Sequence, residues 1–440
     1  MPLKRSLGRE AAAALLALLS VLPLGAAAQT AENKTDRLEQ QVEELKRELA
    51  TLKSSSADSR LAEIEKKIDA LTKEIEELKL GEAAAPPEKP ALTLGLGPAA
   101  SKVYGKKGVS IGGYGDVLYQ NFRAKRQDGA ASGADDTIDL ERAVLYFGYK
   151  FSDDFVFNSE VEYEHAVAAP DKEGEVEVEF AYVDWTKSRA FNLRAGLVLI
   201  PMGFLNEEHE PPTFFGARRN DVETRILPTT WRELGIGAYG SAGVLSWRAY
   251  LVNGLNAAGY DAEEGIREGR QEGSLAKARN FAFTARLDAA PAPGLRAGAS
   301  IFTGSSGQGL VDSSGERFDA STTVWDLHAE YRWRGLTVRG LYAGVSISDA
   351  EKIDEASGLE GEDSVASRLS GWYLEGGYDV LSLVAGTKLS LSPFLRYERY
   401  DTQSRVPDGF DRNPENDVNV FTLGLSFKPI AEVVVKVDWQ

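Results

Sequence analysis

The 440-residue chain contains no cysteine, two methionines and three histidines. Without cysteine it can form neither a disulfide nor a thiolate metal site. His165, His209 and His328 lie far apart in sequence, and none has a ligand-spaced neighbour. Spacing therefore predicts no metal site and no catalytic constellation. No cofactor motif and no nucleophile–base pair can be picked out, so an enzyme is not expected. Long apolar runs are also scarce: beyond residue 28 nothing approaches the ~18 residues of a transmembrane helix. Positive charge is in deficit, with 50 Lys and Arg against 67 Asp and Glu for a net charge of −17. That balance argues against a nucleic-acid partner, whose recognition rests on basic patches.

What the chain has is a two-residue alternation that begins near Val109 and recurs to the end. Thr323, Trp325, Leu327, Ala329, Tyr331 and Trp333 interleave with Val324, Asp326, His328, Glu330 and Arg332. Phe155, Phe157, Val161 and Tyr163 interleave with Asn158, Glu160, Glu162 and Glu164. Successive strand side chains point to opposite faces, so each stretch builds one apolar face and one charged face. Aromatic-rich apolar faces backed by full charges, repeated over more than 300 residues, are what a membrane-spanning barrel with a wet lumen needs.

Ahead of the strands the chain falls into three zones. Residues 1–28 read as a signal peptide: Lys4, Arg5 and Arg9, then an apolar core over 11–24, then Ala26, Ala27 and Ala28. Residues 31–80 carry two heptad seams, Leu38, Val42, Leu45, Leu49, Leu52 and Leu61, Ile64, Ile68, Leu71, Ile75, Leu78, broken by Ser54, Ser55 and Ser56. These predict an α-helical coiled coil, and β-branched residues at a with Leu at d favour two strands. Residues 81–107, with Pro86, Pro87 and Pro90, read as a linker.

The fold class expected for 108–440 is an all-β transmembrane barrel of about 16 antiparallel strands. Fifteen can be placed, near 109–122, 138–151, 155–165, 175–185, 191–200, 232–240, 244–253, 280–288, 295–303, 322–333, 336–347, 370–380, 388–400, 417–428 and 431–439. Short turns alternate with long polar loops, as on the two rims of an outer-membrane barrel. Single-chain bacterial barrels have even strand numbers. The odd count leaves two expectations: a sixteenth strand missing after Gln440, or one strand wrongly split.

A bore of that size is too wide for side chains to fill, so whatever narrows it sets selectivity. The candidate is the long segment 201–230, with Glu207, Glu208, His209, Glu210, Arg218, Arg219, Asp221, Glu223 and Arg225. Its prolines and aromatics favour a fixed shape, and a loop of that length inside a compact fold is usually functional. The competing reading is a surface loop that binds lipopolysaccharide. On the lumen face, Glu160, Glu162, Glu164, Glu175, Glu177 and Glu179 form an acidic wall. Arg194, Arg248, Arg286, Arg296, Arg332, Arg339 and Arg396 form a basic ladder. Either the two face each other as a transverse field, or they pair between neighbouring strands and only solvate the wall.

Three motifs carry a family resemblance. They are Arg194-Ala195-Gly196-Leu197-Val198-Leu199-Ile200-Pro201-Met202-Gly203, Leu227-Pro228-Thr229-Thr230-Trp231-Arg232-Glu233-Leu234-Gly235-Ile236-Gly237 and Pro393-Phe394-Leu395-Arg396-Tyr397-Glu398. Over residues 108–440 the chain resembles the phosphate-selective porin O and P family. The resemblance implies a sixteen-stranded, trimeric outer-membrane porin with an inward-folded third loop, passing anions or small organic acids by diffusion. Relatives with a leading coiled coil are trimeric, against the two-stranded reading of the heptads. The chain has few strand lysines, a departure from a phosphate path. Partners implied are outer-membrane lipid, lipopolysaccharide, small solutes and ions, with the coiled coil in the periplasm. The alternative is a structural anchor whose coiled coil reaches peptidoglycan. An anchor needs no constriction, so segment 201–230 discriminates the two.

Overall fold

The computed structural model describes residues 96–384 and 386–440, together with Lys67. The expected signal peptide, the expected coiled coil apart from Lys67, and most of the expected linker lie outside the described residues. Fifteen strands follow: β1 (Gly108–Gln120), β2 (Thr137–Lys150), β3 (Phe155–Glu164), β4 (Val176–Trp185), β5 (Asn192–Leu199), β6 (Arg232–Ala242), β7 (Leu245–Asn253) and β8 (Phe281–Ala292). They continue as β9 (Leu295–Ser305), β10 (Ser321–Trp333), β11 (Leu336–Ile347), β12 (Arg368–Tyr378), β13 (Ser390–Arg405), β14 (Asp417–Ile430) and β15 (Val433–Trp439). Each coincides with one strand of the sequence reading, which removes the wrongly split strand. About sixteen strands are corrected to fifteen among the described residues.

The strands form one sheet in sequence order from β1 to β15, every neighbouring pair hydrogen-bonded. The alternation sorts its side chains as the sequence requires, but inside out. Ile111, Val117, Leu327, Leu374, Val435 and Trp439 are exposed on one face. Glu160, Asp184, Arg194, Asp288, Asp326, Arg396 and Glu398 are buried on the other. The phase slips once in β4, where Glu160 pairs with Phe180 but the next residue, Val161, pairs with Val178. That bulge leaves Glu179 and Phe180 both buried and keeps Glu177, Tyr182 and Asp184 on the polar face.

The sheet curls around its polar face. His209 lies 3.0 Å from Glu179 of β4, and Ala217 donates its N–H to Asp438 of β15 at 2.6 Å. Eight residues of extended chain reach ~28 Å at most. Eleven strand spacings in a flat sheet would span roughly 50 Å. One short segment touches both strands only because the sheet bends around it. At the sheet ends the Arg123 guanidinium sits 5.2 Å above the ring of Trp439.

The linker expected over 81–107 is corrected for its last part. A 3₁₀ turn, Ala100–Tyr104, packs on the polar faces of β1, β2 and β3, with Leu96, Ala100, Val103 and Tyr104 buried. Asn158 and Lys150 donate to the carbonyls of Ala100 and Tyr104 at 3.1 and 3.0 Å. The apolar side chains among Leu96, Val103 and Tyr104 have no other face to bury, which overrides the linker composition. The chain divides into two units. The smaller contains the turn Trp333–Gly335 and the stretch Asp379–Ser390, where Asp379 donates its N–H to the Gly335 carbonyl at 2.8 Å. No helix among the described residues is long and apolar enough to cross a membrane.

Candidate functional site

Segment 201–230 leaves β5 and returns as β6 through a neck that one side chain ties. The Asn206 amide donates to the carbonyls of Ile200 (2.7 Å) and Trp231 (2.8 Å) and accepts from the Trp231 N–H (2.6 Å). Ile200 also donates to the Trp231 carbonyl at 2.9 Å. Beyond the neck, Gly203 takes a positive φ of 60°, and a Cβ there would lie 2.3 Å from Glu223 Oε2. That carboxylate accepts the N–H groups of Phe204 and Leu205 at 2.6 and 2.7 Å, and its other oxygen accepts from Tyr373 at 2.7 Å. Met202, Phe204, Leu205, Val222, Ile226 and Leu227 are buried beneath this frame. The segment is a second core, laid on the polar face of the sheet.

Its carboxylates then meet the wall one by one. Glu207 lies 3.1 Å from Arg248 and 3.7 Å from Arg286, and Glu208 lies 3.2 Å from Arg296. Glu210 accepts the N–H groups of Ala99 and Ala100 at 2.8 and 3.2 Å. Burial pushes the Glu210 carboxyl up, partly offset by those two donors. His209 Nε2 stands between Glu179 (3.0 Å) and Glu160 (3.3 Å). Burial alone would discharge this imidazole, but Glu179 and Glu160 hold its pKa up at about 10.

The other half of the segment is held by cations and carboxylates of later strands. Lys428 donates to the Pro212 carbonyl at 2.7 Å, Lys436 to that of Gly216 at 2.9 Å, and Arg339 to that of Thr213 at 3.2 Å. Phe215 stacks on Phe394 at 5.4 Å. Arg267 and Arg270, from the loop after β7, donate at 2.6 Å to the carbonyls of Thr229 and Thr230. Arg225 pairs with Glu264 of that same loop. Arg218 is exposed. Arg219 has Nε and Nη2 buried with no hydrogen-bond partner.

The basic ladder lies on the polar face, but the transverse-field expectation needs correction because its members are paired. Arg194 is 2.8 Å from Asp184, which also accepts from Tyr104 and Tyr239 at 2.6 Å. Arg286 and Arg248 share Asp288 at 2.7 and 3.3 Å. Arg332, Arg339 and Arg296 surround Glu330 at 3.0, 2.7 and 3.7 Å. Arg396 joins Glu398 (2.6 Å) and Glu375 (3.2 Å). A buried guanidinium without an acid beside it is prohibitive, so the acids alternate with the ladder within it. In the acidic wall, Glu162 lies 3.9 Å from Arg142 and Glu177 pairs with Arg232. Glu164, Glu175 and Glu177 bring carboxylate oxygens within 4.8 Å of one another nearer the surface.

The isolation of the histidines is also corrected. His328 lies 2.8 Å from Asp288 and 2.5 Å from Asp326, and His165 lies 2.5 Å from Asp139. His209 forms a group with Glu160 and Glu179 whose ligand atoms all fall within 4.8 Å. Sequence separation hid Asp139, Asp288, Glu160 and Glu179, because strands bring together residues that spacing keeps apart, whereas Asp326 stands two residues from His328 on the same face of β10. Asn206, Lys428, Lys436, Arg267 and Arg270 were also missed. For Lys428 and Lys436 the signal was present, as two inward lysines on the last two strands.

A curled antiparallel sheet with its apolar face outside, its polar face inside and a long segment folded onto that polar face is a porin-like architecture. The chain belongs to the same family as an uncharacterized protein of Aquifex aeolicus (strain VF5), with 41% identity over 354 residues, 78% of either chain. No family model matches it. Among solved structures it is similar to OmpF of Salmonella typhi in complex with daunomycin (TM-score 0.45, 11% identity, 75% of this chain and 87% of that one). It is also similar to the trimer form of the outer-membrane protein OmpT of Vibrio cholerae (0.41, 11%, 73% and 85%). A third likeness is to the outer-membrane channel DcaP of Acinetobacter baumannii (0.37, 11%, 78% and 100%).

Proposed function

We propose that the protein is an outer-membrane channel through which small hydrophilic solutes diffuse, narrowed by residues 201–230. Two observations support the reading. The exposed face is apolar from β1 to β15, far beyond the few hundred Å² that soluble surfaces leave bare. The single observation that carries it is the segment itself, which meets Arg248 of β7 through Glu207 and Asp438 of β15 through Ala217, eight strands apart along the curled sheet, and so lies across the space within the curl. An anchor would need no such crossing.

The finer reading is a mild anion preference. It rests on Arg218, Arg219 and Lys436, grouped along 216–219, rather than on the neutralised ladder. Arg218 is exposed, Arg219 has two unpartnered nitrogens, and Lys436 donates to a carbonyl. The test is the reversal potential of the full-length protein in a planar bilayer under a salt gradient. It should favour anions and move toward zero in Arg218→Gln/Arg219→Gln. A cation-favouring potential transfers control to Glu164 and Glu175, and a folded but silent protein overturns the channel. Assembly as a homotrimer in lipid and lipopolysaccharide, coiled coil in the periplasm, completes the proposal and follows from the family resemblance.

A further inference from the structure

We propose that Glu160, Glu179 and His209 form a binding site for a divalent transition-metal ion of the zinc class, which clips segment 201–230 to the wall. The three side chains come from β3, β4 and the segment, and all are buried, with Glu160 at 0% exposure and Glu179 and His209 at 3%. The imidazole Nε2 is 3.0 Å from Glu179 Oε2 and 3.3 Å from Glu160 Oε1. Ligands ~2.0–2.1 Å from a tetrahedral zinc stand roughly 3.3–3.4 Å apart, so these separations are close to the edges of such a polyhedron.

Two further features point to a ligand. Glu160 Oε2 and Glu179 Oε2 are fully buried and accept no hydrogen bond, although Glu179 Oε2 lies 3.0 Å from a ring nitrogen. Buried carboxylate oxygens are costly without partners, and a cation would satisfy both. The surrounding shell is also built as metal sites build it. His209 Nδ1 faces the Asn206 carbonyl at 3.3 Å, which fixes the tautomer that leaves Nε2 free toward the carboxylates. Thr230 donates to Glu179 Oε1 at 2.6 Å and holds that carboxylate in place. Binding displaces to solvent the proton that Glu160 and Glu179 hold on His209 Nε2, and with the imidazole then neutral one divalent cation balances the two carboxylate charges. A nitrogen with two carboxylates suits zinc and its neighbours better than calcium, which takes six to eight oxygens.

The test is independent of the channel reading, because it measures binding rather than conductance. Full-length protein, folded in detergent and stripped with a chelator, is titrated with ZnCl₂ by calorimetry and separately with CoCl₂ by visible absorption. Wild type should take one ion per chain in this site and give the intense d–d bands of four-coordinate cobalt. His209→Ala and Glu179→Gln should bind at least ~100-fold more weakly, at or beyond the upper end of what outer-shell partners alone contribute. Glu208→Gln, on the same segment, should bind as wild type does. Absence of cobalt bands in wild type overturns the site, and that readout needs no folded variant. Equal zinc affinity in wild type and Glu179→Gln overturns it equally.

Discussion

Asn206 and Trp231 are joined twice, the Asn206 amide donating to the Trp231 carbonyl at 2.8 Å and accepting from its N–H at 2.6 Å. With its third bond, to Ile200, Asn206 closes the neck of a segment whose ends sit on adjacent strands. Asn206→Ala strands buried backbone groups that each cost about 1–3 kcal/mol. The variant should unfold at lower temperature in a heat-modifiability gel, and its single-channel traces should be noisier than those of wild type.

Gly203 meets two demands that only glycine satisfies together, a φ of 60° and the approach of Glu223 Oε2 to within 2.3 Å of where a Cβ would stand. Gly203→Ala should displace Glu223 from the N–H groups of Phe204 and Leu205. The expected cost is about 1–3 kcal/mol for the backbone conformation alone. Urea unfolding in detergent, with Gly243→Ala as a positive-φ control that meets no neighbour, separates backbone strain from the lost carboxylate contacts. Gly203→Ala should be the more destabilising of the two.

Glu207 is the segment's counter-charge to Arg248 and Arg286. Glu207→Gln leaves those guanidinium groups with Asp288 alone, which should destabilise the fold by on the order of 3 kcal/mol. In a bilayer the reversal potential should shift toward anions relative to wild type. Arg248→Gln should shift it the other way. Identical potentials in all three proteins would show that these charges lie outside the ion path.

Leu327 stands at the middle of β10 on the exposed face. If that face meets hydrocarbon, Leu327→Arg should cost about 2–4 kcal/mol in lipid vesicles. On a water-facing surface such a substitution stays within about 0.5 kcal/mol. Reversible urea unfolding in vesicles distinguishes the two.

All fifteen strands were legible because alternation is a local signal, and a mismatch of one residue flips every side chain to the wrong face. β10, read as 322–333 and found as Ser321–Trp333, is typical. The packing of 201–230 on the polar face was suggested by its length and its mixture of apolar and charged residues. Pairing was not. Nothing local in Arg339 says that Glu330 and Glu375 flank it, since those partners lie on neighbouring strands across turns and loops of unequal length. The β4 bulge was hidden for a related reason: Glu175, Glu177 and Glu179 alternate without a break, and the slip falls just after them, between Glu179 and Phe180. Leu96–Tyr104 was misread because proline and glycine dominated the composition of its surroundings, masking a few apolar residues that find a place on the polar face.

A diffusion channel of this kind requires that 201–230 narrow a conducting path. The direct measurement is single-channel conductance of full-length wild type against a variant in which residues 211–219 are replaced by a Gly-Gly bridge, both verified as folded by gel mobility. Wild type should open in discrete steps and the variant in severalfold larger ones, with weaker ion preference. Equal conductance in the two proteins, or folded wild type that never opens, would contradict the proposed channel.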